Sequence, residues 1–296
     1  MPRRTLHLTI SAFCLLLAAA SPPAAAAAGP PLRVMVSIPP LAWFVQQVAG
    51  DQAEVAVLLG PGNSPHTYEP TPRQMAQLAG AELFLTGGVP FERGLRPRIE
   101  AMNGGPRLAG PLPDPAADHG GHDHADGLDP HRWLSPAGAA AIGDTVAAAL
   151  LRLRPDLAAH IAAGRAALQE RIDAVDAEVR GRLVGRRGSF FVVYHPAFGH
   201  FAAAYGLRQL AIEDDGHEPG ARRLAEVTEL ARAAGIGAVV VQPQFSRRAA
   251  EAVAASIGVP VVELDPLAPA WDLNLLTIAS TLAEVAGRPT AAEVRP

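Results

Sequence analysis

The sequence contains no lysine and only one cysteine. All 25 of its basic residues are arginines, which indicates codon bias more than a mechanism. The formal net charge is −4, and no run of basic residues occurs after the first four positions, so the sequence lacks the pattern of a nucleic-acid-binding protein. Cys14, the single cysteine, lies inside an N-terminal apolar stretch. Once that stretch is removed, the chain has no thiol and cannot form a disulfide.

Aromatic and charged residues are also scarce. They make up 5% and 18% of the chain, whereas hydrophobic residues make up 49%. These proportions exclude a disordered, collagen-like or coiled-coil chain and suffice for a large buried core. Because a length of 296 residues predicts roughly two domains, we expect two lobes with a cleft between them.

Residues 1–28 have the features of an export signal. Arg3 and Arg4 precede an apolar stretch at 6–20, and an alanine-rich segment follows at 24–28. We predict that this segment is a signal peptide and that the mature protein is periplasmic. Beyond it we expect no segment with the roughly 18 apolar residues that a membrane span needs.

Short apolar runs alternate with helical patterns in the rest of the chain. The predicted strands fall at 32–38, 55–59 and 83–86, and then at 189–194, 207–212, 238–242 and 261–264. Strands that are apolar on both faces indicate an α/β fold with a parallel sheet in each lobe. We divide the chain into an N-terminal lobe at 29–155, a linking helix at 156–184, in which Gly164 interrupts the apolar face, and a C-terminal lobe at 185–296.

A histidine-rich stretch at 118–126 interrupts the N-terminal lobe. Three histidines alternate there with aspartates in a loop that has no apolar periodicity: His119, His122 and His124. Imidazole and carboxylate groups suit zinc, so we expect weak, accessory metal capture. The loop also fits the H-x-H-x-D spacing of metallo-β-lactamase-like hydrolases, but no strand precedes it, and the chain contains no H-E-x-x-H pair.

Four other side chains that can bind metal stand in loops or at strand ends: His66, His131, His195 and Asp265. Their sequence contexts are P-H-T-Y-E-P, D-P-H-R-W-L-S-P, Y-H-P-A-F-G and L-D-P-L, in that order. In open α/β sheets ligands bind beyond the carboxyl ends of the strands. We therefore expect His195 and Asp265 to project into the cleft, with His66 and His131 on the opposite wall.

These motifs resemble those of the periplasmic zinc and manganese substrate-binding proteins of ABC importers. The similarity runs from about Val34 to the C-terminus, and the histidine-rich stretch stands where zinc-specific members carry theirs. The resemblance implies two α/β lobes bridged by a long rigid helix, with the metal site in the cleft. It also implies that the three histidines are imidazole ligands and that Asp265 stands at the carboxylate position.

The implied function is capture of Zn²⁺ in the periplasm and delivery to an ABC permease with its ATPase subunit, by a monomer without enzymatic activity. In the manganese-binding branch the third position is usually a carboxylate, so His195 favours zinc. Three alternatives stay open: a manganese or iron carrier, a metal-dependent adhesin or storage protein, and a secreted zinc hydrolase. A hydrolase needs an open coordination position and a general base, and neither is visible here.

Four further side chains lie near these motifs or in the second half of the chain. Glu69 follows His66 by three residues and is a candidate for orienting that ring. We expect His200 to have a surface or packing role and His160 to be an exposed helix residue. His217 is expected to add at most weak metal contacts.

Overall fold

Two four-stranded parallel sheets form the framework of the protein. A computed structural model describes residues 29–102, 104–111, 129–213 and 217–287. From Pro31 onward the chain forms one compact unit that contains both sheets. The predicted α/β class, with one parallel sheet in each half of the chain, is confirmed. The predicted signal peptide at 1–28 and the histidine-rich stretch at 118–126 lie outside the described residues.

The first sheet contains β1 (Leu32–Val36), β2 (Ala53–Val57), β3 (Leu83–Leu85) and β4 (Arg107–Ala109). Helices α1 (Pro39–Ala49), α2 (Pro72–Ala79) and α3 (Glu92–Glu100) connect them. The strand order is β2-β1-β3-β4, so the central strands are buried, whereas the edge strand β2 is largely exposed. Sequence patterns missed β4, which has three residues, and α3, which contains Pro97.

The second sheet contains β5 (Phe190–Val193), β6 (Arg208–Ala211), β7 (Val239–Val241) and β8 (Val261–Glu263). Helices α6 (Gly199–Tyr205), α7 (Ala221–Ala234) and α8 (Arg248–Ile257) connect them. The order β6-β5-β7-β8 repeats that of the first sheet. In each sheet the chain leaves the two central strands toward opposite edges of the sheet. The boundary between these two strands is a topological switch point, and it opens a crevice at their carboxyl ends.

Three further helices are α4 (Pro136–Leu153), α5 (Ala158–Arg182) and α9 (Trp271–Val285). The 25-residue α5 lies between the two sheets in the chain and packs against α1, α4 and α9. A Cβ atom on Gly164 would lie 2.3 Å from the carbonyl oxygen of Val48 in α1. The gap in the apolar face of α5 is therefore the point at which α1 makes its closest backbone approach.

Within the described ranges, α4 is long and apolar enough to cross a membrane by length and composition alone. The expectation that no segment beyond the N-terminus would meet this measure is therefore wrong. Buried core helices meet it too, and α4 packs against α1 and α5. Its buried positions are Gly138, Ala139, Gly143, Val146, Ala149 and Leu150.

Two tryptophans connect the segments that carry His131 and Asp265. The indole Nε1 of Trp133 donates a hydrogen bond to the carbonyl of Pro266 at 2.8 Å. In return, Nε1 of Trp271 donates to the carbonyl of Trp133. Both side chains are buried, so these hydrogen bonds are shielded from water. They hold a loop of the first half of the chain against a strand end of the second half.

Glu92 is a fully buried carboxylate at the start of α3. Its oxygens accept hydrogen bonds from the backbone N–H groups of Gly87 and Gly88, each at 2.8 Å, and so fix the loop that follows β3. Burial raises the pKa of Glu92 to about 7, although hydrogen bonds from Ser37 and from this loop lower it in part.

This shift predicts a pH-dependent term in stability. Because the unfolded glutamate has a pKa of 4.5, the native chain holds the extra proton between 4.5 and about 7, and its stability falls as pH rises through that window. Relative to Glu92→Gln, the free energy of unfolding of the native protein should fall by up to about 1.4 kcal/mol per pH unit there. Urea unfolding across the window measures this difference, with Glu100→Gln as an exposed control. A difference that does not vary with pH would contradict the prediction.

Candidate metal centre

His66 lies in a tight turn between β2 and α2. Its backbone N–H donates to Oγ of Ser64 at 3.3 Å, and the N–H of Thr67 donates to the carbonyl of Ser64 at 3.3 Å. Such serine-stabilised turns hold their backbone without regular secondary structure. The carbonyl of Pro65 accepts a hydrogen bond from the N–H of Phe91 at 3.2 Å. The turn that carries His66 is thereby attached to the segment that begins α3.

His131 is oriented by a single carboxylate, that of Asp129. Oδ1 of Asp129 accepts from the backbone N–H of His131 at 2.9 Å and from its ring Nδ1 at 2.7 Å. The carbonyl of Asp129 in turn accepts from Nε2 of His200 at 3.0 Å. Shortly after His131, Ser135 caps α4 by accepting from the N–H of Gly138 at 3.1 Å. The His131 ring is therefore held by Asp129, whose turn is attached to α6 through His200.

His195 directly follows Tyr194 at the carboxyl end of β5 and is buried. Its backbone is paired in both directions with the side chain of Gln242, which follows β7: the N–H donates to Oε1 at 3.2 Å, and the carbonyl accepts from Nε2. Its ring Nδ1 lies 2.7 Å from Oε1 of Glu213, which follows β6. The neighbouring strands β6, β5 and β7 of the second sheet thus determine both the backbone position and the ring orientation of His195.

The three predicted imidazoles lie together around His195. Nε2 of His66 and Nε2 of His195 are 3.3 Å apart, and the two ring centroids are 4.7 Å apart. The centroid of the His131 ring lies 5.3 Å from that of His195. Two nitrogens that each lie about 2.0 to 2.1 Å from a tetrahedral zinc would be roughly 3.3 to 3.4 Å apart. His66 and His195 already have the separation of two zinc ligands.

The carboxylates of Asp129 and Glu213 determine which ring nitrogen carries the proton. An ionised carboxylate only accepts hydrogen bonds, so Nδ1 of His131 and of His195 must donate, which leaves a lone pair on each Nε2. Burial lowers the pKa of His195, partly offset by Glu213, so burial favours its neutral form. Burial disfavours ionisation of Asp129, but the hydrogen bonds that it accepts from His131 stabilise the ionised form, and the pKa of Asp129 is lowered.

Asp265 lies two residues after β8, and its carboxylate is hydrogen-bonded by protein groups. Oδ1 accepts from Nε2 of Gln244 at 2.7 Å and from the N–H of Leu267 at 2.9 Å. Its backbone carbonyl accepts from Nδ2 of Asn274 at 2.9 Å. In the part of the chain that the structure describes, no three histidine, cysteine, aspartate or glutamate side chains are arranged, as they now lie, to share a metal ion. The structure therefore brings the three imidazoles close together without assembling a complete ligand set.

The four further side chains that were considered near the motifs have different surroundings in the structure. Glu69 lines a polar pocket with Asn63, Thr67 and Gln74, and its part in orienting His66 stays a prediction. The rings of His131 and His195 are oriented by Asp129 and Glu213. His160 is exposed on α5, as expected, and its Nε2 also donates to a carbonyl at the end of α1. His217 is exposed. His200 does more than cover a surface, because it holds the Asp129 turn.

A model of the zinc-uptake complex component A, periplasmic, known as ZnuA, matches residues 34–275 of this chain. The chain belongs to this family. The family predicted from the motifs around the three histidines is therefore confirmed.

Individual ZnuA-family relatives agree. The zinc-binding lipoprotein AdcA of Streptococcus pneumoniae is 30% identical over 252 residues, which cover 80% of this chain and 50% of AdcA. The chain thus spans about half the length of this relative. The high-affinity zinc uptake system protein ZnuA of Paracoccus denitrificans is 32% identical over 248 residues, 72% of this chain and 76% of that protein. A crystal structure of ZnuA superposes with a TM-score of 0.79 and 34% identity, over 86% of this chain and 99% of that one.

The hydrogen bonds around the imidazoles predict their tautomers in the metal-free protein. At a pH well above the ordinary histidine pKa, His131 and His195 should carry their proton on Nδ1. His160 and His200 are matched controls, because each donates from Nε2 to a backbone carbonyl and should carry its proton there. Long-range ¹H–¹⁵N correlation spectra distinguish the two forms. A proton on Nε2 of His195 would contradict the assignment.

Proposed function

We propose that the protein captures Zn²⁺ outside the cytoplasm and delivers it to the permease and ATPase subunits of an ABC importer. The observation that carries the proposal is the His66–His195 pair, whose Nε2 atoms are separated by 3.3 Å. His131 supplies the third imidazole, and family membership supports zinc as the cargo. The chain acts in this proposal as a carrier and not as an enzyme.

Asp265 is the fourth ligand in this proposal. The hydrogen bond from Trp133 to Pro266 joins the residue after Asp265 to the segment that carries His131. Because Oδ1 of Asp265 already accepts two hydrogen bonds, the second carboxylate oxygen is the one that would bind zinc. Zinc binding would draw the His131 ring toward the His66–His195 pair and so complete a tetrahedral shell.

A shell of three imidazoles and one carboxylate suits a carrier better than a hydrolase. Structural zinc sites have four protein ligands, whereas catalytic sites keep one position for water. Three nitrogens and one oxygen also suit zinc better than manganese, which prefers more oxygen ligands. This ligand set therefore supports transport of zinc over the manganese and hydrolase alternatives.

The proposal also covers where the protein acts and how its chain is divided. Residues 1–28 act as a signal peptide that directs the chain to the periplasm, where a monomer meets the permease. The N-terminal lobe at 29–155 and the C-terminal lobe at 185–296 enclose the site, and the segment at 156–184, which contains α5, joins them. The histidine-rich stretch at 118–126 gathers metal without supplying ligands to the tight site.

A single zinc ion should stabilise the native protein. A ligand that binds only the native state adds about 4 kcal/mol to the free energy of unfolding at a thousandfold excess over Kd. Thermal unfolding with zinc and with chelator measures this gain. His131→Ala should remove it, whereas His160→Ala, whose ring contacts the end of α1 and is not a proposed ligand, should retain it. An equal gain in both variants would contradict the proposed ligand set.

Delivery has its own test in cells. In a strain that lacks the gene, growth under zinc limitation should be restored by the native chain and by His160→Ala. His131→Ala should not restore growth. If tight zinc binding is measured but the native chain gives no growth recovery, capture stands and delivery to a permease is excluded.

His195 should set the preference for zinc over manganese. A carboxylate at this position supplies a harder ligand, so His195→Glu should lower the ratio of zinc affinity to manganese affinity relative to the native protein. Competition titrations with both metals measure the two ratios. Native zinc affinity exceeds manganese affinity in any case, so only the change in the ratio is informative. An unchanged or higher ratio would show that His195 does not determine metal selectivity.

A further inference from the structure

The segment from Gln242 to Phe245, which follows β7, contacts the candidate metal centre at three points. Gln242 is fully buried and pairs with the backbone of His195. Gln244 donates to Asp265 at 2.7 Å. The third contact is made by Phe245, the only one of these three side chains that cannot form a hydrogen bond.

Phe245 covers the imidazoles with an aromatic face. Its ring is stacked on the His195 ring, with centroids 4.8 Å apart and planes inclined by 24°. The His66 ring lies 6.1 Å away on the same aromatic group. Phe245 also packs against Tyr194, with ring centroids 5.4 Å apart, and against the core of the second sheet. The phenyl ring is therefore held beside the two nitrogens that are 3.3 Å apart.

We propose that Phe245 is a specificity-determining residue that keeps water out of the metal shell and so holds the bound ion at four ligands. The inference rests on the proposed zinc-carrier function and names the residue that enforces its selectivity. Phe245 fills the space beside the metal position and packs on the His195 ring, so it excludes water without being a ligand itself.

The physical reason is competition between protein ligands and water. Zinc usually binds four ligands, whereas manganese prefers larger, oxygen-rich coordination shells, which water molecules could complete. A phenyl face offers a water molecule no hydrogen-bond acceptor of normal strength, and the apolar surroundings of a site control solvent access to its metal. Removing the ring would leave room for water beside His66 and His195, and the shell could then expand.

Cobalt(II) in place of zinc reports the number of ligands directly, because its visible absorption is intense in a tetrahedral shell and weak with five or six ligands. The full-length mature chain and three variants are compared: Phe245→Ala, Phe245→Leu and Arg247→Ala. Arg247 lies in the same loop, is exposed and contacts Glu251 and Glu263, so it serves as the matched control. Zinc and manganese affinities are measured in parallel by competition.

We expect Phe245→Ala to lose most of the visible cobalt absorption and roughly 10- to 100-fold of zinc affinity, with a smaller loss for manganese. Phe245→Leu keeps an apolar cover and should retain the tetrahedral spectrum, as should Arg247→Ala. A native spectrum and native zinc-to-manganese ratio in Phe245→Ala would overturn the inference while leaving the zinc site in place. If Phe245→Ala fails to fold by circular dichroism, Phe245→Val takes its place, and its cobalt absorption should fall below that of Phe245→Leu. Equal absorption in Phe245→Val and Phe245→Leu would overturn the inference.

The proposed zinc site has a separate outcome in the same experiment. If the native chain itself gives no tetrahedral cobalt spectrum, the ligand set of His66, His131, His195 and Asp265 is wrong. The proposed role of Phe245 would then also be wrong, because it depends on that ligand set. A tetrahedral native spectrum together with an unaffected Phe245→Ala variant separates the two conclusions.

Discussion

The hydrogen bond between Nδ1 of His195 and Glu213 is the interaction on which the candidate metal centre depends. A neutral imidazole binds metal through only one nitrogen, so the other must hold the proton in a fixed direction. Glu213 meets this need because β6 and β5 are neighbours in the second sheet. Asp129 does the same for His131 from within its own turn. These two carboxylates together leave the Nε2 atoms of both rings available as acceptors.

The candidate site also requires that the segments carrying His131 and Asp265, which belong to different halves of the chain, keep a fixed position relative to each other. Trp133 and Trp271 hold the His131 segment against Pro266 through buried indole hydrogen bonds. The long helix α5 also packs against helices of both halves, and Gly164 permits the close approach of α1. A site whose ligands are largely positioned before an ion arrives loses less conformational entropy on binding. The indole hydrogen bonds beside His131 and Asp265 and the packing of α5 would reduce that cost in the proposed site.

The sequence predicts the α/β class and the parallel sheets correctly, because apolar runs are local signals. The loop motifs single out His66, His131 and His195, whose rings the structure places close together. It does not reveal β4, whose three residues are too few to form a pattern. It also does not reveal Glu213, Gln242 or Phe245 as neighbours of His195, since these residues are 18 to 50 positions away in the chain. Only the strand order β6-β5-β7-β8 brings their strand ends together. Local motifs point to the candidate ligands, whereas topology determines what surrounds them.

Zinc K-edge X-ray absorption of the zinc-loaded mature protein counts and identifies the ligands of the bound ion. We expect four light-atom ligands, three nitrogens and one oxygen, at about 2.0 to 2.2 Å, with the outer-shell scattering of three imidazole rings. His131→Ala should lower the imidazole count by one, which ties the spectrum to the assigned residue. A shell of five or six oxygen-rich ligands with fewer than two imidazoles would contradict the account.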